Sequence, residues 1–354
     1  MERVPVRADL DAVVPYGAPQ LDVPVRLNTN ETPYPPPPEF FADLARRIAD
    51  APLHRYPDRR AWALRCALAE RFALAPQRVW AANGSNEVLL QLFQAYGGPG
   101  RRILLTEPGY SAHPLIATVS GTATATVALD GEFRLSPAAA AEAVERHGPD
   151  IVCVASPNNP TGVPLSRDAL RALHDHSAAL VIVDEAYVEF AGDTSTSVVD
   201  LLDAMPRLVV CRTFSKAWRL AGVRLGYLLA HEWVVNDLRK VRLPYHLDTL
   251  TQAAGLVALD HADTVTAHIG AVAAERDRLY SALAAFPRVH VWPSAANFLL
   301  LRSDVDGLFD QLLRRGVLVR DFSDRPKLGG CLRVSVGTPD ENDRFLSALR
   351  ESLQ

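Results

Sequence analysis

The chain has 354 residues, 48% of them hydrophobic, which is enough to bury a large core and, on length alone, to make about two domains. Charged residues make up 22% and the formal net charge is -4. That balance excludes a general electrostatic footprint for nucleic acid or an anionic membrane, so any phosphate recognition must be local, made by a few cations and helix N-termini. Cys66, Cys153, Cys211 and Cys331 are scattered with no C-x-x-C pair, which argues against zinc or any other metal and against disulfides. Residues Met1 to Pro5 carry charges and lack the apolar segment of a signal peptide, and no window approaches the ~18 apolar residues that span a bilayer. A cytoplasmic location is the expectation.

In chain order, residues 1 to 30 read as irregular, and Pro35 to Pro38 predicts an extended connector instead of a helix. Apolar residues at helical spacing predict helices over Phe40 to Ala51 and Arg60 to Phe72. A turn at Gly84-Ser85-Asn86 opens a further helix over Glu87 to Tyr96. Short apolar strands are expected at Ile103 to Leu105, Ile151 to Ala155, Leu180 to Val183, Leu208 to Cys211 and Leu225 to Leu229. They are separated by helical segments such as Leu165 to Ser177, the signature of an α/β fold with a mostly parallel central sheet and helices on both faces. A long Ala-rich helical stretch runs from Thr249 to Phe286. Short strands at Val289 to Trp292, Phe298 to Leu301 and Leu332 to Val336, with two helices, then read as a smaller α+β domain. The expected division is an arm of residues 1–35, a large domain of 36–245 and a small domain of 246–354 joined by the arm.

Three polar clusters follow three of these strands: Ser156-Pro157-Asn158-Asn159-Pro160-Thr161-Gly162, Asp184-Glu185-Ala186-Tyr187 and Thr213-Phe214-Ser215-Lys216. Strand ends in an open α/β sheet are where such folds place ligands. An amide, a carboxylate, a phenol and an amine therefore converge on one crevice. That set fits pyridoxal phosphate (PLP), held as a Schiff base on Lys216. Such an amine must be partly deprotonated, and burial beside Arg224 lowers its pKa. Asp184 ends four apolar residues, where a carboxylate is costly to bury without a partner, although an Asp there also serves as a helix N-cap. Asn159 belongs to a strong turn signal in its own right. For a phosphate, Gly84-Ser85-Asn86 offers backbone N–H groups at a helix start, and Ser215 and Arg224 add a hydroxyl and a bidentate cation.

With these clusters and Arg224, the chain resembles the class I/II aminotransferases, with the aspartate-aminotransferase-like fold of PLP-dependent transferases. More narrowly it resembles the histidinol-phosphate aminotransferases. That likeness rests on Leu27-Asn28-Thr29-Asn30-Glu31, His54-Arg55-Tyr56-Pro57-Asp58, Ala82-Asn83-Gly84-Ser85-Asn86-Glu87, Val183 to Phe190, Arg242-Leu243-Pro244-Tyr245, Ala296-Asn297-Phe298 and Leu332-Arg333. The resemblance implies that Asp184 pairs with the pyridine nitrogen, and that Tyr187 and Asn159 hydrogen-bond the phenolic oxygen. It implies that Ser85, Asn86, Ser215 and Arg224 hold the phosphate, joined by Tyr56 from the neighbouring subunit of a homodimer with shared active sites. Tyr110 would stack on the ring. Arg333 and Arg320 would grip the anionic end of the substrate, and Tyr16 and Asn30 would line the substrate side. Core packing remains the rival reading for Tyr110 and Tyr187, and loop packing for Tyr16 and Asn30.

The implied reaction is ping-pong transamination between L-histidinol phosphate and 2-oxoglutarate, giving imidazole acetol phosphate and L-glutamate in histidine biosynthesis. Lys216 would act as general base and acid. The chain departs from the family pattern at Thr32, where Asn is usual, at Trp218-Arg219 after the lysine, and at Asn86, where Asp is usual. These positions bear on the substrate and leave PLP binding intact. An aromatic amino-acid aminotransferase and a threonine-phosphate decarboxylase are the rivals on the same scaffold. A PLP-sensing regulator would carry a DNA-binding helix-turn-helix ahead of this fold, where only irregular sequence stands here.

Overall fold

The computed structural model describes residues 4–11, 13–15, 17–192 and 196–354. The N-terminal segment contributes a short strand, β1 (Val25–Arg26), ahead of α1 (Pro38–Ala49) and α2 (Trp62–Arg71). The proline run is therefore only in part an extended connector. Pro38 is the first residue of α1, where a missing N–H costs nothing and a fixed φ suits the helix.

A seven-stranded sheet follows, built from β2 (Val79–Ala82), β3 (Arg102–Glu107), β4 (Ala123–Ala128), β5 (Ile151–Ala155), β6 (Leu180–Asp184), β7 (Leu208–Thr213) and β8 (Gly226–Ala230). Its order is β2-β8-β7-β6-β5-β3-β4. The connecting helices are α3 (Ser85–Tyr96), α4 (Ala112–Val119), α5 (Pro137–His147) and α6 (Arg167–Asp175), with α7 (Glu232–Val241) after the last strand. Strands β5 and β6 are buried throughout, as expected for a sheet covered on both faces. Alternate residues feed two helical layers. Ile151, Cys153, Ile182 and Cys211 pack with Leu89 of α3, Ile116 of α4 and Val234 of α7. Val152, Val154, Val181 and Val210 pack with Leu68 of α2, Val144 of α5 and Leu173 of α6.

One strand runs against the rest. β8 pairs antiparallel with both β7 and β2, and Thr213 and Ala82 both register with Gly226. The start of β8 thus lies at the sheet edge where β2, β5, β6 and β7 end. The turn before β8, carrying Arg224, meets the loops that carry Asn86, Asn159, Asp184 and Lys216.

The remaining elements are α8 (Thr249–Asp260), α9 (Ala262–Ala284), β9 (Val289–Val291), β10 (Phe298–Ser303), α10 (Leu308–Arg314), β11 (Val317–Leu318), β12 (Arg320–Asp321), β13 (Cys331–Ser335) and α11 (Pro339–Ser352). The expected single helical stretch after Thr249 is two helices. His261 leaves helical geometry at φ -103°, ψ 23°, and its Nε2 lies 2.9 Å from Asp43 Oδ2 of α1, which pins the corner. α8 packs on α1 and α2, while α9 runs to the smaller sheet. That sheet is antiparallel, of order β12-β13-β10-β9, and β1 pairs in parallel with β11 beside it. The N-terminal segment is in this way stitched to the C-terminal elements. No helix among the described residues is long and apolar enough to cross a membrane.

Candidate active site

A cavity of about 350 Å³ opens at the sheet edge where the polar clusters meet. Ser85, Asn86, Tyr110, Asn159, Asp184, Tyr187, Ser215, Lys216, Arg224, Asn30, Arg320 and Arg333 all line it. Tyr16 lies outside the described residues, and Tyr56 does not border the cavity.

Asp184 is the last residue of β6 and is buried. Its Oδ1 accepts from the Ala186 amide at 3.2 Å, and its Oδ2 lies 3.3 Å from His113 Nε2. His113, buried on α4, is a site residue that the sequence did not mark. A single histidine in an apolar helix carries no signal, and the spacing of three from Tyr110 is the only clue. Burial lowers the His113 pKa, but Cys153 and the Asp184 carboxylate raise it further, to about 10. Tyr110 meets the His113 ring edge-on, with centroids 5.2 Å apart.

Opposite Asp184 runs a chain of polar contacts. The Tyr187 hydroxyl accepts from Asn30 Nδ2 at 3.0 Å and from Asn159 Nδ2 at 3.2 Å. Asn159 Oδ1 accepts from Arg333 Nη1 at 2.6 Å, and Arg333 Nη2 donates to the Asn28 carbonyl at 2.7 Å. Arg333 is buried between the rings of Phe298 and Phe322. Across the β12–β13 ladder it faces Arg320, which donates to the Gly17 carbonyl at 3.1 Å. Asn30 adopts φ +55°, a left-handed conformation that Asn tolerates better than most residues. Its backbone N–H is held by Ser335 Oγ and its carbonyl by Asn297 Nδ2.

Lys216 follows β7, and its Nζ donates to the Thr29 carbonyl at 2.9 Å. Burial is the largest influence and pushes its pKa down. Arg333 and Arg224 add to this and Glu31 opposes it, leaving the amine at about 8.

The remaining corner suits an anion. Helix α3 starts at Ser85 with no side-chain cap among the described residues, so its first N–H groups remain for a ligand. Arg224 Nη1 donates to Ser215 Oγ at 3.3 Å and to the Ala221 carbonyl at 3.1 Å. Two glycines allow the approach. A Cβ on Gly84 would lie 2.8 Å from Arg224 Nη2, and one on Gly226 would overlap the backbone of Gly84 and Ser85. Gly226→Ala is therefore expected to push α3 off the sheet edge, at a cost of about 1–3 kcal/mol. A fall in the thermal midpoint of the protein without cofactor checks this, and an unchanged midpoint would show that the edge can yield. An uncapped helix start, a guanidinium and a hydroxyl around one point fit a phosphate group. The carboxylate, the paired phenol and the low-pKa amine fit the ring and aldehyde of PLP.

The family model for aminotransferase class I and II matches residues 23–349. The chain belongs to that family. The histidinol-phosphate aminotransferase of Thermobifida fusca (strain YX) is 46% identical over 355 residues, 99% of this chain and 95% of the relative. That of Streptomyces avermitilis is 47% identical over 366 residues, covering 99% and 97%. Among solved structures, the histidinol-phosphate aminotransferase from Sinorhizobium meliloti in complex with pyridoxal-5'-phosphate matches with a TM-score of 0.85. It is 24% identical and covers 94% of this chain and 91% of that one, a likeness of fold. The aminotransferase thus has the aspartate-aminotransferase-like α/β fold expected from its motifs.

Beneath the site, this aminotransferase carries a buried charge network that the sequence also did not mark. Arg212 of β7 pairs with Glu185 at 2.8 Å and with Glu189 at 3.5 Å. Burial pushes both carboxyl groups up, while Arg212 pulls them down. Glu185 also accepts from the Val198 amide at 2.7 Å and from Ser197 Oγ at 3.1 Å. The network ties the segment carrying Tyr187 to the strand that leads to Lys216. Removing one member of such a cluster leaves an uncompensated buried charge.

Tyr56 stands apart. It is 79% exposed and stacked on Tyr245, with ring centroids 4.3 Å apart and planes 12° from parallel. Leu243, near Tyr245 in the chain, is 74% exposed.

Proposed function

We propose that this aminotransferase binds pyridoxal phosphate and transfers the amino group of L-histidinol phosphate to 2-oxoglutarate, giving imidazole acetol phosphate and L-glutamate in histidine biosynthesis. The observation that carries the reading is the meeting of Lys216, Asp184 and the anion corner of Ser85, Ser215 and Arg224 on one sheet edge. The names of the relatives supply the substrate. When bound, PLP supplies an electron sink for the substrate carbon that loses its proton.

Each role falls to a residue of this chain. Asp184 would keep the pyridine nitrogen protonated, and Tyr187 with Asn159 would bind the phenolic oxygen. Asn86 would join the phosphate corner, and Tyr110 would cover the ring. Lys216 Nζ would take the proton from the substrate carbon and return it, work that an amine with a pKa near operating pH does best. Arg320 and Arg333 would bind the substrate's anionic end, phosphate in one half-reaction and carboxylate in the other, since a guanidinium fork suits both. Asn30 would line the substrate side with Tyr16.

The test is the absorbance of protein loaded with PLP. The visible band of the bound cofactor should vanish on adding L-histidinol phosphate and return with 2-oxoglutarate. A band that ignores L-histidinol phosphate and responds to phenylalanine would favour the aromatic aminotransferase. Carbon dioxide release from threonine phosphate without a keto acid would mark the decarboxylase.

The exposed, stacked Tyr56 supports a homodimer in which each Tyr56 reaches the partner's phosphate corner. Tyr56→Ala should weaken PLP binding about tenfold, the worth of one hydrogen bond to a charged group. A mixed dimer of Tyr56→Ala and Lys216→Ala subunits separates the possibilities. The site holding the intact lysine would take its tyrosine from the other subunit and regain wild-type PLP affinity. Failure to regain it would place Tyr56 outside a shared site.

A further inference from the structure

Four cations border the cleft, namely Lys216, Arg224, Arg320 and Arg333, but only two carboxylates do so among the described residues, Asp184 and Glu31. Asp184 lies buried at the sheet edge, facing His113. Glu31 is different. It is exposed on the side of the cleft formed by the N-terminal segment. Its Oε2 accepts from Thr29 Oγ1 at 2.9 Å, and among the described residues it forms no ion pair. Thr29 also fixes it relative to the reacting centre, because the Thr29 carbonyl holds Lys216 Nζ. A carboxylate thus borders a cationic cleft with Thr29 as its one side-chain hydrogen-bond partner among the described residues, while its charge also acts on Lys216.

The cations suit the phosphate and carboxylate ends of the substrates. None of them suits the other end of a donor such as L-histidinol phosphate, whose imidazole offers ring N–H groups and is partly cationic near neutral pH. Glutamate brings a second carboxylate instead, which an acid in the cleft would repel. We infer that Glu31 determines donor specificity by accepting a hydrogen bond from the imidazole ring of the donor. The inference rests on the histidinol-phosphate reading of the site and adds to it the group that reads the ring. Charge-assisted bonds of this kind are among the stronger ones, and the attractive element for one donor is also a repulsive one for the other.

Calorimetric binding of L-histidinol phosphate and of 2-oxoglutarate to the protein without cofactor, with wild type, Glu31→Gln and Glu31→Ala, gives one readout. The ratio of kcat/KM for L-histidinol phosphate over L-glutamate in the loaded enzyme gives the other. Glu31→Ala should weaken L-histidinol phosphate binding and lower that ratio, each by roughly tenfold or more. Glu31→Gln, which keeps an acceptor but no charge, should fall between. Loss of both donors in parallel would mean that Glu31 acts through Lys216, and would overturn the inference. An unchanged ratio with unchanged binding would overturn it too. A wild-type protein that itself ignores L-histidinol phosphate overturns the functional reading and this inference together, and that outcome is visible before any variant is made.

Discussion

Lys216→Ala is expected to abolish transamination, by roughly ten-thousand-fold or more, since it removes the covalent anchor and the acid-base group at once. The residue stands just beyond β7, where the strand end fixes the backbone and the Thr29 carbonyl fixes Nζ. Its pKa of about 8 is the physical core of the expectation. At pH 7 about one lysine in ten would be the free amine, against about three in ten thousand for an ordinary lysine. The sign of the pH effect follows. Incorporation of PLP into the protein needs the free amine, so its rate should rise about tenfold per pH unit below 8 and level off above it. Stopped-flow absorbance with added PLP measures this in wild type. In Lys216→Ala the slow spectral change should be absent, while the phosphate corner should still bind the cofactor reversibly. A variant that retains even a hundredth of wild-type turnover, or an incorporation rate flat between pH 6 and 8, would remove Lys216 from its assigned role.

Much of this arrangement was legible because the central strands are short, apolar and buried on both faces. Ile151 to Ala155, Leu180 to Val183 and Leu208 to Cys211 stand out as runs, and the polar residues that interrupt them fall at the ligand edge. Every described residue assigned to the chain's own cleft does line it. The strands β2 and β4 were not legible. β2 is Val-Trp-Ala-Ala, four residues long, and β4 alternates Ala and Thr at the sheet's half-exposed rim. β4 offers no apolar run, and β2, though apolar throughout, has a single β-branched residue in four, too little to tell a strand from a short helical segment. The reversal of β8 was not legible either, because periodicity carries no direction, although that reversal is what brings Arg224 to the site. The break at His261 depends on Asp43, 218 residues away. The contact of His113 with Asp184 spans 71 residues. Such pairings are made by the tertiary fold, and no local pattern announces them. The same holds for Arg212, which reads as an odd charge in a buried strand until Glu185 and Glu189 are placed beside it.

Asp184→Asn should keep the cofactor and lose the chemistry. The phosphate corner is built from α3, Ser215 and Arg224 and does not use Asp184, so PLP affinity should change little by comparison with turnover. What the carboxylate supplies is a fixed negative charge that stabilises a protonated ring nitrogen, and an amide of the same shape supplies none. Electrostatic groups of this kind are worth about 10²–10³-fold in kcat. The neighbourhood strengthens the expectation. Asp184 is buried and faces His113, whose raised pKa of about 10 keeps the imidazole cationic at neutral pH. A histidine with a raised folded pKa stabilises the fold most fully below about pH 6.5, its unfolded value. That contribution is lost as pH rises towards 10. In Asp184→Asn the histidine keeps Cys153 but loses its carboxylate, so its pKa should fall and this extra stability at low pH should shrink. Thermal midpoints across pH 5 to 9 would register the loss, and single-turnover rates with L-histidinol phosphate would register the missing charge. A variant with kcat within tenfold of wild type would mean that the carboxylate at the end of β6 serves the fold and His113 alone.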